Sequence, residues 1–293
     1  PAALKALAEI ALAEKQGAEA AVRYEVLLKL FPGEAEYISG LSRSYLAQNL
    51  PDQAVKALEG GLKNAPQNSE LHLELGRLYL SLGQHKQAQQ SFEKALKDDS
   101  QNIHLYLGLG QAFEGQGQPE EAVMAYRQAI SLSPKLPYGY HRLGLLLLAA
   151  GKPEAAAEEL KKAVVNNPAH LESHLALGEI YLKQNILDKA TVEFAIAVKI
   201  APQSFEARLG QASMFARTGQ ADQAYAVCQE LMTSHGDRAE LYLLLGKLLA
   251  QRGKTRDAVE AWQKAVNFTH DQNLRQQATK AIDAALQWQE VSG

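Results

Sequence analysis

Apolar side chains recur along this chain at spacings of three and four, in short blocks separated by polar turns. Such spacing gathers them on one stripe of an amphipathic helix. The stretch from Ile103 to Leu136 shows the pattern most plainly. Tyr106, Leu109, Gly110 and Phe113 mark one helix, and Ala122, Tyr126 and Ala129 mark a second. Gly115, Gln116, Gly117 and Gln118 separate the two, and Pro134 closes the stretch. The expected element is a helical hairpin, which cannot bury its apolar face alone and must stack on neighbours.

Those neighbours are in the sequence. The pattern repeats every 34 residues over eight blocks: 1–34, 35–68, 69–102, 103–136, 137–170, 171–204, 205–238 and 239–272. One position of the second helix is alanine in every block: Ala20, Ala54, Ala88, Ala122, Ala156, Ala190, Ala224 and Ala258. A larger residue there would overpack, typically by about 1–3 kcal/mol. The first helix has a matching small position at Ala8, Ser42, Gly76, Gly110, Gly144, Gly178, Ala212 and Gly246. Glycine inside a helix costs about 1 kcal/mol against alanine, so its recurrence implies close helix packing that offsets the loss. Four residues after each alanine stands a buried-type side chain: Tyr24, Leu58, Phe92, Tyr126, Leu160, Phe194, Cys228 and Trp262.

The turns agree with this register. Asn49, Gly83, Gly117, Gly151, Asn185, Gly219 and Gly253 follow the first helices, where a left-handed cap favours glycine or asparagine. Pro51, Pro119 and Pro153 fall where second helices open, a place that tolerates a missing N–H. The first block departs, with its turn glycine displaced to Gly17. The seventh has Gln211 where the others have leucine, and Gly236 in place of the closing proline. A last helix is expected over Asn273–Gln289, with Leu274, Ala278, Ala281, Ile282, Ala285 and Trp288 on one side and Arg275, Gln276, Lys280, Asp283 and Gln287 facing water. That is the composition of a terminal cap.

The order of residue types and the period resemble the tetratricopeptide repeat. The resemblance covers residues 1–272. It implies an all-α fold: an α-solenoid of antiparallel helix pairs winding as a right-handed superhelix, with first helices lining a concave groove. It also implies a non-catalytic scaffold that holds a peptide or helical segment of a partner and supports complex assembly. The family's groove positions carried onto this chain include Arg77, Gln111, Glu114, Tyr138, His141, Arg142, Glu179 and Lys183. Tyrosine and arginine are types enriched at binding hot spots. The competing reading is structural, with Arg142 paired to Glu179 and Tyr138 packed at a seam.

Two known groove chemistries of the family find no match. A clamp for a C-terminal carboxylate would need asparagine where Glu9 follows Lys5, and again where Gly40 stands. An asparagine ladder would need groove asparagines, but Asn49, Asn64, Asn68, Asn102 and Asn185 fall in turns and block ends. A leucine-rich groove instead suits an amphipathic helix or an apolar strand.

Composition narrows the partners. The net charge of −3, without a basic block, speaks against nucleic acid and anionic membrane surfaces. No apolar run is long enough to span a bilayer, so direct membrane insertion is not expected. The single cysteine, Cys228, excludes an internal disulfide and sits at a core position, where an inert thiol is expected. His170, Glu172 and His174 mimic a metal pair but lack a third ligand nearby, so no metal, cofactor or catalytic residue is expected. A soluble chain, cytoplasmic or periplasmic, follows. The chain starts at Pro1 without a cap before its first block, so it is expected to continue upstream. The alternatives are self-association through that uncapped first repeat, or service as the substrate-presenting arm of a larger enzyme or of a secretion or assembly protein.

Overall fold

The computed structural model describes the backbone of residues 1–292 and the side chains of residues 1–287. Among the described residues it holds seventeen helices and no strand. Two compact units divide the chain, Pro1–Leu146 and Leu147–Gly293. In the first, α1 (Ala2–Ala13) pairs with α2 (Gly17–Leu30), α3 (Ala35–Ala47) with α4 (Pro51–Asn64), α5 (Ser69–Ser81) with α6 (His85–Leu96), and α7 (Ile103–Gly115) with α8 (Pro119–Leu132). The division falls inside α9 (Pro137–Ala149). The second unit carries α10 (Pro153–Asn166), followed by α11 (Leu171–Lys183) with α12 (Leu187–Ile200), α13 (Phe205–Arg217) with α14 (Ala221–Ser234), and α15 (Ala239–Gln251) with α16 (Thr255–Phe268). The last helix is α17 (Gln272–Ser292). From α3 to α15 the first helices begin 34 residues apart.

Turn chemistry sets the helix ends. Asn49 and Asn185 take φ of 59°, and Gly83, Gly117 and Gly151 take 70°, the left-handed geometry that ends a first helix. The first hairpin solves the same turn with Lys15 at φ 62°, a conformation strained for a residue with a Cβ. Gly17 is therefore not a turn glycine. It opens α2, where a Cβ would come within 2.8 Å of the Ser44 carbonyl oxygen. Pro51, Pro119 and Pro153 open α4, α8 and α10. Asn68, Asn102, His170 and Ser204 cap first helices by accepting a backbone N–H.

Packing follows the period. All eight alanines of the second helices are 0 % exposed. Phe92 shows how the small first-helix positions are used. A Cβ on Gly76 would lie 2.4 Å from its ring, and one on Gly108 in the next hairpin 2.5 Å from it. The ring thus fills a slot between α5 and α7 whose walls are bare backbone. Phe194 repeats this with Gly178 and Gly210, and Tyr24 uses Gly40. Leu58 and Leu160, being smaller, are followed at the corresponding place by Glu74 and Ala176.

A hydrogen bond invisible in the hydrophobic pattern pins successive hairpins. Residues six positions past a hairpin's closing turn reach back to its carbonyl. His72 Nε2 lies 2.9 Å from the Pro66 oxygen, and His174 Nε2 lies 3.0 Å from that of Pro168. The hydroxyls of Tyr106, Tyr140 and Tyr242 donate to Ser100, Pro134 and Gly236 at 3.1, 3.2 and 3.0 Å. Each bond satisfies a loop carbonyl and fixes the approach of the next helix.

At the C-terminal end Ala278 is buried, and Leu274, Ala281, Ile282 and Ala285 pack on the same core as α15 and α16. Gln276, Lys280, Asp283 and Gln287 are exposed. Trp288 and Gln289, also expected on that helix, lie outside the described side chains.

Candidate partner-binding face

Within each unit the first helices stand side by side. α1 packs on α3, α3 on α5 and α5 on α7; in the second unit α11 packs on α13 and α13 on α15. Among the described residues, second helices make no comparable contact with one another. Each unit therefore crowds its first helices and spreads its second helices, and its first-helix face is the inner one.

Arg77 is exposed on that face of the first unit. Gln111, Glu114, Tyr138 and Arg142 are half-buried there and bonded to each other. Gln111 Nε2 donates to the Tyr138 hydroxyl, which joins α7 to α9. Glu114 is the hub. Its Oε1 accepts from Arg142 Nε at 3.1 Å and from the Tyr126 hydroxyl, and its Oε2 accepts from Arg142 Nη2. This is a bidentate guanidinium–carboxylate pair, the strongest class of side-chain hydrogen bond. Burial pushes the Tyr126 phenol up, and the bond to Glu114 adds to it. Burial alone would lower the Arg142 guanidinium, but its bonds to Glu114 and Tyr126 outweigh that and raise it.

The lock corrects the expected pairing of Arg142 with Glu179. Its carboxylate partner is Glu114 on α7, not Glu179, so it ties α7, α8 and α9 together. Spacing along the chain missed this because both glutamates lie one hairpin away, on opposite sides. A second correction concerns His141. It is only 7 % exposed, so its side chain is not available to a partner. It occupies the position held by Leu107, Leu175 and Leu209 in other blocks. In the second unit Glu179 and Lys183 are exposed on α11.

The remaining polar candidates also have structural work. His170 Nδ1 accepts from the Ser173 N–H at 3.3 Å, capping α11. His174 is buried, with Nδ1 2.6 Å from Glu193 Oε2 and Nε2 at the Pro168 carbonyl. Cys228 is 0 % exposed, and burial pushes its thiol up to about 12. No described helix is long and apolar enough to cross a membrane.

Comparison with known proteins agrees with the geometry. Sequence models of the tetratricopeptide repeat match residues 11–78, 45–106, 79–139 and 141–205. The chain belongs to the tetratricopeptide repeat family, whose repeats mediate protein–protein interaction and scaffolding. No curated protein matches it in sequence. Among solved structures it is similar to a tetratricopeptide repeat protein from Parabacteroides merdae, at 18% identity and TM-score 0.64 over 86% of this chain and 98% of that one. It is also similar to a chain of the APC/C hetero-tetramer Cut9–Hcn1, at 14% identity and TM-score 0.67 over 92% and 52%. A third is YrrB, described as a TPR protein with an unusual peptide-binding site, at 20% identity and TM-score 0.50 over 63% and 95%. At these identities the likeness concerns the fold.

Proposed function

We propose that the chain is a non-catalytic scaffold that holds a peptide or helical segment of a partner protein on the first-helix face of its units. The observation that carries this is the crowding of first helices, which turns that face inward within each unit. Partly exposed leucines, such as Leu73 and Leu107 in the first unit and Leu175 and Leu209 in the second, offer apolar contact. Exposed Arg77, Glu179 and Lys183 between them offer register by charge. Tyr138 and Gln111 supply an aromatic and an amide to the same face. Glu114 and Arg142 hold the helices that present them.

The test is a peptide selected from a random library against the full chain, with affinity read by fluorescence anisotropy. Arg77→Ala and Lys183→Ala remove exposed side chains, so folding should be unaffected. At least one should weaken binding by more than about 1 kcal/mol, the threshold for an interface residue that matters. Unchanged affinity in both, with Tyr138→Ala also silent, would overturn the assignment of this face. A second reading, self-association through the first hairpin, draws on exposed Leu7 and Ile10, at 48 % and 53 %. A concentration-independent monomer by sedimentation would dismiss it.

A further inference from the structure

His72 and His174 hold the same place in their hairpins but end differently. Both aim Nε2 at the carbonyl of a proline six residues back. A carbonyl only accepts, so Nε2 carries the proton in both rings. The other nitrogen of His174 meets the Glu193 carboxylate at 2.6 Å. The residue of α6 that corresponds to Glu193 is Ser91, which is too short to do the same and donates its hydroxyl to the Gln87 carbonyl at 2.9 Å. His72 is 4 % exposed and its Nδ1 has no hydrogen-bond partner. A buried ring nitrogen without a partner is unusual in a folded chain.

Open space lies beside that ring, although its Nδ1 is itself buried. A cleft of about 440 Å³ lies between α4, α5 and α6, lined by His72 and Tyr79 on α5, Glu59 and Lys63 on α4, and Ser91 and Lys94 on α6. Glu59 is engaged by the Tyr79 hydroxyl at 2.8 Å. Lys63 and Lys94 are exposed and form no ion pair among the described residues. Two free ammonium groups and an imidazole therefore face one carboxylate that is already bonded.

We propose that this cleft binds a carboxylate, the acidic side chain of a partner peptide, which takes at His72 the place that Glu193 takes at His174. Because Nε2–H is committed to Pro66, the incoming carboxylate needs a proton on Nδ1. Binding therefore takes up one proton from solvent and forms an imidazolium–carboxylate pair, flanked by Lys63 and Lys94. The groups facing that imidazole are Glu59 and Lys63 of α4, Tyr79 of its own helix and Lys94 of α6. This cleft opens between second helices and shares no residue with the first-helix face, so either site can fail without the other.

The experiment uses the full chain with ¹⁵N-labelled histidine. The probes are a blocked hexaglutamate peptide, its hexaglutamine counterpart, glutarate and inorganic phosphate. Hexaglutamate should move the His72 Nδ1 resonance saturably from the bare toward the protonated position and leave His174 unchanged. Hexaglutamine should not. Ser91→Glu, which supplies the carboxylate from within, should weaken hexaglutamate binding at least tenfold. Lys63→Glu, an exposed change that leaves the core intact, should weaken it several-fold. A silent His72 resonance, or full binding by both variants, would overturn the site. Equal binding of glutarate or of phosphate would overturn its assignment to an acidic peptide.

Discussion

Gly108→Ala is the sharpest test of how the hairpins stack. Helix propensity alone predicts that it stabilises α7 by about 1 kcal/mol. The slot around Phe92 predicts the opposite. The new Cβ would stand 2.5 Å from the Phe92 ring, and the ring has little room to retreat because it packs so closely on Gly76 that a Cβ there would also lie 2.4 Å from it. Overpacking of this kind costs about 1–3 kcal/mol, so the net change should be a loss of up to about 2 kcal/mol. Shortening the ring should reverse the sign. In a Phe92→Leu background, itself about 1 kcal/mol less stable, Gly108→Ala should stabilise by up to about 1 kcal/mol. Elsewhere in the chain the pairing of Leu160 with Ala176 already has that composition. The coupling in the double-mutant cycle should therefore be near 2 kcal/mol. Urea unfolding gives the overall effect, and amide hydrogen exchange in α5–α7 gives the local one, since a repeat array need not unfold in one step. If Gly108→Ala stabilises the chain with Phe92 in place, the slot argument is wrong.

Two further outcomes follow from burial. The Tyr79 phenol is pushed up to about 12 by burial and then by its bond to Glu59, against an ordinary value of 10. The folded state holds this proton more tightly, so the contribution is complete below pH 10 and is lost as pH rises from 10 to about 12. Tyr79→Phe should flatten the fall in stability across that window, and an unaltered profile would count against it. Cys228 should resist a thiol reagent at pH 8 in the native chain and react at once in denaturant, because its thiol is buried and held protonated. Rapid native-state labelling would contradict that.

Much of the architecture was legible in the sequence because it is local. Left-handed turns favour glycine or asparagine, and these stand at Gly83, Gly117, Gly151, Asn49 and Asn185 in phase. The alanines of the second helices are small because two backbones meet there, and the same constraint acts in every block. A subtler signal was also present. Gly40, Gly108 and Gly210 appear only after hairpins whose packing residue is an aromatic ring, which marks where that ring crosses into the next hairpin. The fold turned on these short-range rules.

The polar contacts were another matter. The sequence put Tyr138, Arg142, Gln111 and Glu114 near one another but offered Glu179 as the partner of Arg142, whereas the structure pairs it with Glu114. It placed His141 on the binding face, whereas the chain buries it. It did not single out His72 and raised His174 only as half of a candidate metal pair, although His174 reaches Glu193 and His72 lines an open cleft. Backbone periodicity repeats with each hairpin, so a pattern of residue types determines it. A side-chain hydrogen bond depends on which of several reachable groups lies within 3 Å, and that distance exists only after the helices have packed.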